Sequence, residues 1–279
     1  MKIFSATYTD AIKFNRKPNE DFFLILKKPP IFALADGVTQ SRFEDGAYAY
    51  PAGARAAAQI FCQSVVEYIE KNLVQGFTLN IPEKKIIEEA FDFANERIWE
   101  LNKNEGMVEK LDYVVHDYFD TVAVAGFLAK NTLFYGYVGD CGLAIFDKNN
   151  NLKFQTRDMV EPAKEKARVI YKNWNGMTQN ERTKIFHRDF RNNPSGKGYG
   201  SFSGEPGVRK YYKIDSLILN SGDLIVFYSD GFVEYLKFPE FIKILKREDK
   251  KALDEFTLKK AKENYQKFGT DRTFISINF

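Results

Sequence analysis

Two cysteines, Cys62 and Cys141, and two histidines, His116 and His187, are all that 279 residues contain of those types. Thiols so few and so far apart exclude a disulfide framework and a thiolate zinc site, and read as buried thiols in a reducing compartment. The histidines fall in loop-like stretches without ligand spacing, which speaks against zinc; His187 reads as a surface residue. No window approaches the ~18 apolar residues of a membrane span, and the apolar stretch in Met1–Ser5 is too short for a signal peptide. The expectation is a soluble, cytoplasmic protein with no membrane partner. Internal repeats, low-complexity tracts and linkers are also missing, so one domain over 1–279 is expected.

Aromatic residues are plentiful, at 15% of the chain, and the apolar fraction of 44% is ordinary for a globular protein. Charge is unevenly spread. Residues 157–213 hold thirteen Lys and Arg against six Asp and Glu, a net +7 that leaves −4 for the rest of a chain whose total is +3. Within this region, 157–207 lacks sustained periodicity and contains Trp174-Asn175-Gly176, Pro194-Ser195-Gly196 and Gly198-Tyr199-Gly200. Such a long structureless stretch inside a compact domain reads as a lid or flap insertion.

Elsewhere the pattern is clear. Ile31-Phe32-Ala33-Leu34-Ala35 is continuously apolar, as a strand buried on both faces must be. Thr121–Ala129 and Thr132–Val138 read as a hairpin around Lys130-Asn131, and Gly142–Phe146 and Leu152–Gln155 as a second. Arg209–Leu219 and Asp223–Ser229 read as a third around Asn220-Ser221-Gly222. Helical spacing runs through Ala54, Ala57, Ala58, Phe61 and Val65, and again through Ile86, Ala90, Phe93, Ala94 and Ile98. Strands joined mostly by hairpins, with two long helices early and two late, predict an α+β domain of antiparallel sheets covered by helices.

Five apolar strand-like runs are each flanked by acid: Glu20-Asp21, Asp36, Asp140, Asp230 and Asp271. A buried charge needs a partner or a metal. A lone Asp-Gly is ordinary turn chemistry, so these acids are either unrelated strand-end residues or a set that binds hard divalent cations. Mg²⁺ and Mn²⁺ take oxygen ligands and keep several waters, which suits a few Asp residues and a backbone carbonyl.

Arg16-x-x-Asn19-Glu20-Asp21, Ala35-Asp36-Gly37, Asp120-Thr121, Val138-Gly139-Asp140, Ser229-Asp230-Gly231 and Gly269-Thr270-Asp271-Arg272-Thr273, in this order, resemble the metal-dependent PPM-type serine/threonine protein phosphatases, the 2C class, in a divergent bacterial- or archaeal-like form. The resemblance implies two stacked antiparallel β-sheets flanked by helices, and hydrolysis of phosphoserine and phosphothreonine in proteins by water activated on two, or with a weaker site three, Mn²⁺ or Mg²⁺ ions. It implies that Asp36 bridges two ions, that Glu20 and the Gly37 carbonyl complete one site with Asp21 acting through water, and that Asp230 and Asp271 hold the other ion. Asp140, Asp230 and Glu234 match the weaker third position, and Arg16 the phosphate-binding arginine. Phosphoprotein substrates and an opposing protein kinase are the implied partners; nucleic acid is not expected.

The chain departs from that pattern at Val38, where many members carry a histidine proposed as proton donor. The general acid is therefore unassigned, with a water on the metal as the simplest substitute. Asp120-Thr121, Asp140-Cys141-Gly142 and Asp271-Arg272 are further departures, and none removes a core metal ligand. Two rivals follow: a phosphoprotein-binding regulatory module of the same fold with little or no catalysis, and a hydrolase of another phosphoester.

Overall fold

The computed structural model describes residues 1–10, 17–38, 41–75 and 82–279. Among these residues, ten strands form two antiparallel sheets of five. The first is ordered β1 (Lys2–Tyr8), β10 (Arg272–Asn278), β9 (Leu224–Tyr228), β6 (Gly142–Phe146), β7 (Leu152–Gln155). The second is ordered β2 (Phe22–Lys27), β3 (Pro30–Val38), β4 (Asp120–Ala129), β5 (Thr132–Val138), β8 (Lys213–Ile218). Helices α1 (Gly53–Gln75), α2 (Glu83–Asn104) and the short α3 (Met107–Lys110) belong to the first half of the chain. Next come α4 (Glu161–Ile170) and α5 (Gln179–Asp189), then α6 (Asp230–Val233), α7 (Pro239–Arg247), α8 (Lys250–Glu263) and α9 (Tyr265–Phe268).

The period of two along β3 explains the layering. Ile31, Ala33 and Ala35 pack with α1 and α2 residues such as Ala57, Phe61 and Phe91. Phe32 and Leu34 face the other way, into a core shared with Ile225, Phe227, Ile275 and Ile277 of the first sheet. That sheet's outer face, through Ala144, Val226 and Phe274, packs on Phe232, Tyr235, Phe241 and Phe256. Both faces of each sheet are thus covered, which is why the strands read as unbroken apolar runs. The small side chains of α1 let it lie close to the sheet: a Cβ at Gly37 would stand 2.5 Å from the Ala54 backbone.

Two expectations are corrected. Asn220-Ser221-Gly222 does not close a hairpin: β8 pairs with β5 in the second sheet, whereas β9 pairs with β10 and β6 in the first. The turn hands the chain across the sandwich, and nothing in its residues distinguishes that from a hairpin. The stretch 157–207 is also not structureless, since it holds α4 and α5. α5 begins with a capping box, in which the Thr178 side chain accepts from Glu181 N at 3.3 Å and the Glu181 carboxylate accepts from Thr178 N at 2.7 Å. Both helices are short, and their small core of Val160, Ala163, Ala167, Phe190 and Tyr199 leaves too weak a periodic signal to read. Among the described residues no helix is long and apolar enough to cross a membrane.

Candidate active site

Strand alternation continues from Phe32 and Leu34 to Asp36, which therefore faces the gap between the sheets at its open end. One step beyond the pair Phe22↔Ala35, the register sets Asp21 beside Asp36. Gly139, at φ +85°, turns the chain from β5 in one sheet to β6 in the other, and Asp140 sits on that crossing. A side chain there would collide with Val122, 2.2 Å from the position of a Cβ, so the turn requires glycine. Asp230 opens α6 just past β9, and Asp271 stands just before β10, the neighbouring strand. The two sheets are tied at this end by Ser229: its hydroxyl donates to Asp21 Oδ2 (2.7 Å) and accepts from Thr273 N (2.9 Å).

Glu20, Asp36, Gly37, Asp140, Asp230 and Asp271 thus line one cavity of about 530 Å³. Asp21 is buried immediately behind it. Glu234 is not among the lining residues; it pairs with Lys237 and, at 2.7 Å, with Lys267. Arg16 lies outside the described residues.

Electrostatically the cavity floor is strained by its own acids. Burial pushes Glu20 up to about 7 against the pull of Lys17. Burial likewise raises Asp21 to about 7, with Asp230 and Asp271 adding to it and hydrogen bonds from Ser229 and Thr273 opposing it. Asp140 rises to about 7 through burial, Asp230 and Asp158. Asp36 is held well above the ordinary carboxylate range by burial and by Asp21, Asp230, Asp140 and Glu20 together. Asp230 is raised too, by burial first, although its side chain touches solvent.

Lys17 answers part of this charge. It is 8% exposed, pairs with Glu20 and lies 3.1 Å from Asp271 Oδ2. Burial opposes its charge, but Glu20 and Asp271 raise its pKa above the ordinary lysine value. Two buried carboxylate oxygens, Glu20 Oε1 and Asp21 Oδ1, have no hydrogen-bond partner among the described residues. Orphaned acceptors among hard oxygen donors are what a divalent cation would satisfy. Among the described residues no three His, Cys, Asp or Glu side chains enclose one cation position as they stand. An ion that keeps several waters does not need such a cage. The donor set therefore fits Mg²⁺ or Mn²⁺, with Lys17 supplying positive charge within the same cluster.

The same cavity is lined by basic and aromatic residues, Lys164 and Arg168 from α4, Arg182 from α5, and Arg42, Trp174 and Tyr199 between elements, and Lys164 lies close enough to Asp140 and Asp230 to oppose the rise in their pKa values. An acidic floor under a basic rim suits a phosphate held between cations and guanidinium groups. A model of the protein phosphatase 2C family matches residues 13–260.

The chain belongs to the protein phosphatase 2C family.

Solved structures agree with that assignment at the level of the fold. The catalytic domain of the serine/threonine protein phosphatase PstP, crystallised with two manganese ions, is similar with a TM-score of 0.61 and 16% identity over 99% of this chain and 96% of that one. PppA of Pseudomonas aeruginosa gives 0.60 and 12% over 100% and 97%. The photosystem II phosphatase PBCP gives 0.56 and 15% over 100% and 98%. No curated protein matches the sequence.

Sequence reasoning missed two features of this phosphatase-fold site. Lys17 is three residues from Glu20, a visible spacing, but its burial depends on Asp271, 254 residues away. His187, read as a surface residue, is 3% exposed and lines the cavity with its Nδ1 against Asp117.

The position of Lys17 yields a two-sided expectation. Lys17→Met should bind Mn²⁺ more tightly, by about tenfold, because a resident cation no longer competes for Glu20 and Asp271. Without metal it should lose about 3–5 kcal/mol of stability, the usual effect of breaking a buried pair. Calorimetric titration with Mn²⁺ and a urea melt of the metal-free protein check both signs.

Proposed function

We propose that the protein hydrolyses phosphoserine and phosphothreonine monoesters in proteins, using Mn²⁺ or Mg²⁺ at the acidic end of the sandwich. The observation that carries this reading is the convergence of acids from five separate places in the chain on one cavity with a basic rim. Family membership supports it, as does the likeness in fold to a phosphatase crystallised with two manganese ions.

Asp36 would serve both ions, with Glu20 and the Gly37 carbonyl on one side, Asp230 and Asp271 on the other, and Asp21 through water. Asp140 would contribute to a weaker third position with Asp230. Glu234 could join it only by leaving Lys237 and Lys267. When bound, the cations supply an activated water and offset charge on the phosphoryl oxygens. The protein's own groups do the rest. Arg42, Lys164, Arg168 and Arg182 line the cavity and would draw in and orient the phosphate dianion; Arg16, outside the described residues, is the phosphate ligand that the family resemblance implies. Ser229 and Thr273 hold Asp21 in place at the junction of the sheets. Phosphoprotein substrates would imply an opposing kinase, and a cytoplasmic location belongs to the same proposal.

One observation favours a second reading, a phosphoprotein-binding module without turnover: Lys17 pairs with Glu20 and Asp271 and so offsets part of the acidic charge from within the chain. Phosphate release from phosphoserine, phosphothreonine and phosphotyrosine peptides, with Mn²⁺ or with EDTA, separates the two. The enzyme reading expects Mn²⁺-dependent release from the first two, about tenfold or more above the third. Binding without release supports the module, and release from a nucleic-acid substrate alone overturns both.

A further inference from the structure

Breaking a seryl phosphate expels an alkoxide, a poor leaving group unless it is protonated as the bond breaks. Val38, two residues past Asp36 and on the cavity wall, has no proton to give. Of the two histidines, His116 pairs with Asp112, lies tilted against the Tyr50 ring, and does not line the cavity. His187 does line it, and among the described residues all its hydrogen-bonding contacts are made through Nδ1.

The setting of that ring is built rather than incidental. Nδ1 lies against Asp117 Oδ2, and Arg191 Nη1 is 3.2 Å from the same nitrogen. Arg191 Nη2 donates to Asp117 Oδ1 at 2.9 Å, its Nε donates to Glu205 at 3.1 Å, and its Nη1 is 3.6 Å from Asp120 Oδ2. Asp120 is the cross-strand partner of Val38. The network therefore anchors His187 beside the Val38 end of β3. Burial works to raise the Asp117 carboxyl, but Arg191 and His187 hold it well below the ordinary carboxylate range. A carboxylate kept ionised against Nδ1 orients the ring and stabilises its charged form, in which both nitrogens carry protons, so that Nε2 is the nitrogen left to give a proton to the cavity that His187 lines.

Resting on the phosphatase reading, we propose that His187, oriented by Asp117, is the general acid that protonates the leaving seryl or threonyl oxygen. Water attacks phosphorus and forms the new P–O bond. The P–O bond to the side chain breaks with its electron pair passing to that oxygen, which takes the proton from His187 Nε2. The proton released from the attacking water returns the imidazole to its charged form through solvent. Asp117 is a positioning residue throughout.

The test is a leaving-group series: a phosphoserine peptide, phenyl phosphate and aryl phosphates of increasingly acidic phenols, each with Mn²⁺, for wild type, His187→Asn and Asp117→Asn. His187→Asn should lose about 10²–10⁴-fold in kcat on the peptide with KM within a few-fold, and the loss should shrink steadily as the leaving phenol becomes more acidic. Asp117→Asn should steepen the same dependence, and added imidazole should restore part of the His187→Asn loss. Incomplete folding lowers every substrate equally and leaves the slope alone, so a slope equal to wild type in both variants overturns the assignment. A wild type that turns over no member of the series instead overturns the phosphatase reading, and the role of His187 with it.

Discussion

Asp36→Asn is expected to lose Mn²⁺-dependent phosphatase activity by roughly a thousandfold, the equivalent of several kcal/mol of lost charge stabilisation at the reacting phosphate. The same variant, free of metal at pH 7.5, should melt higher than wild type. In the metal-free fold Asp36 keeps its proton to a pH well above the ordinary carboxylate range, because burial and four neighbouring acids disfavour its charge. Between the unfolded and folded pKa values the folded protein binds more protons than the unfolded chain, so this group's contribution to stability falls as pH rises. Asparagine has no proton to release, and the penalty disappears. The gap in melting temperature between variant and wild type should close only below about pH 3, under the unfolded value of 3.8, where Asp36 is protonated in both states. A variant that is both inactive and less stable at every pH would mean that Asp36 serves packing rather than charge.

The second large effect belongs to the cluster as a whole. Glu20, Asp21 and Asp140 are each pushed up to about 7, so metal-free wild type should lose stability progressively between about pH 4.5 and 8. Divalent cations bind the ionised cluster and not the unfolded chain, and stabilise by RT ln(1 + [L]/Kd), about 2.7 kcal/mol at a hundredfold excess over Kd. Protons and metal compete for the same oxygens. The Mn²⁺-induced rise in melting temperature should therefore be small at pH 5 and largest above pH 7. Melting curves across pH, with and without millimolar Mn²⁺, read both trends; a metal effect independent of pH would detach it from these acids.

How much of this was legible beforehand depends on how local the cause is. Ile31–Ala35 announced a doubly covered strand because both faces of β3 are packed, and the acids flanking the strand-like runs could be picked out one motif at a time. Their order along the chain carried the family resemblance. The partnerships did not show. His187 reaches Asp117 across 70 residues, and Asp21 meets Ser229 across 208. Each of those residues alone has an ordinary surface reading, and only the closing of the sandwich makes it a buried one. The exchange of sheets at Asn220-Ser221-Gly222 was equally silent, because a turn's residues fix its local dihedral angles and not the partner of the strand that follows.

Crystals soaked in Mn²⁺ and measured at the manganese absorption edge test the central claim most directly. The account predicts two anomalous peaks within ligand distance of Asp36, flanked by Glu20 and Gly37 on one side and by Asp230 and Asp271 on the other, with the Lys17 ammonium displaced from Glu20 and Asp271. A soaked crystal with no anomalous peak at this end of the sandwich and Lys17 still paired to both acids would contradict it.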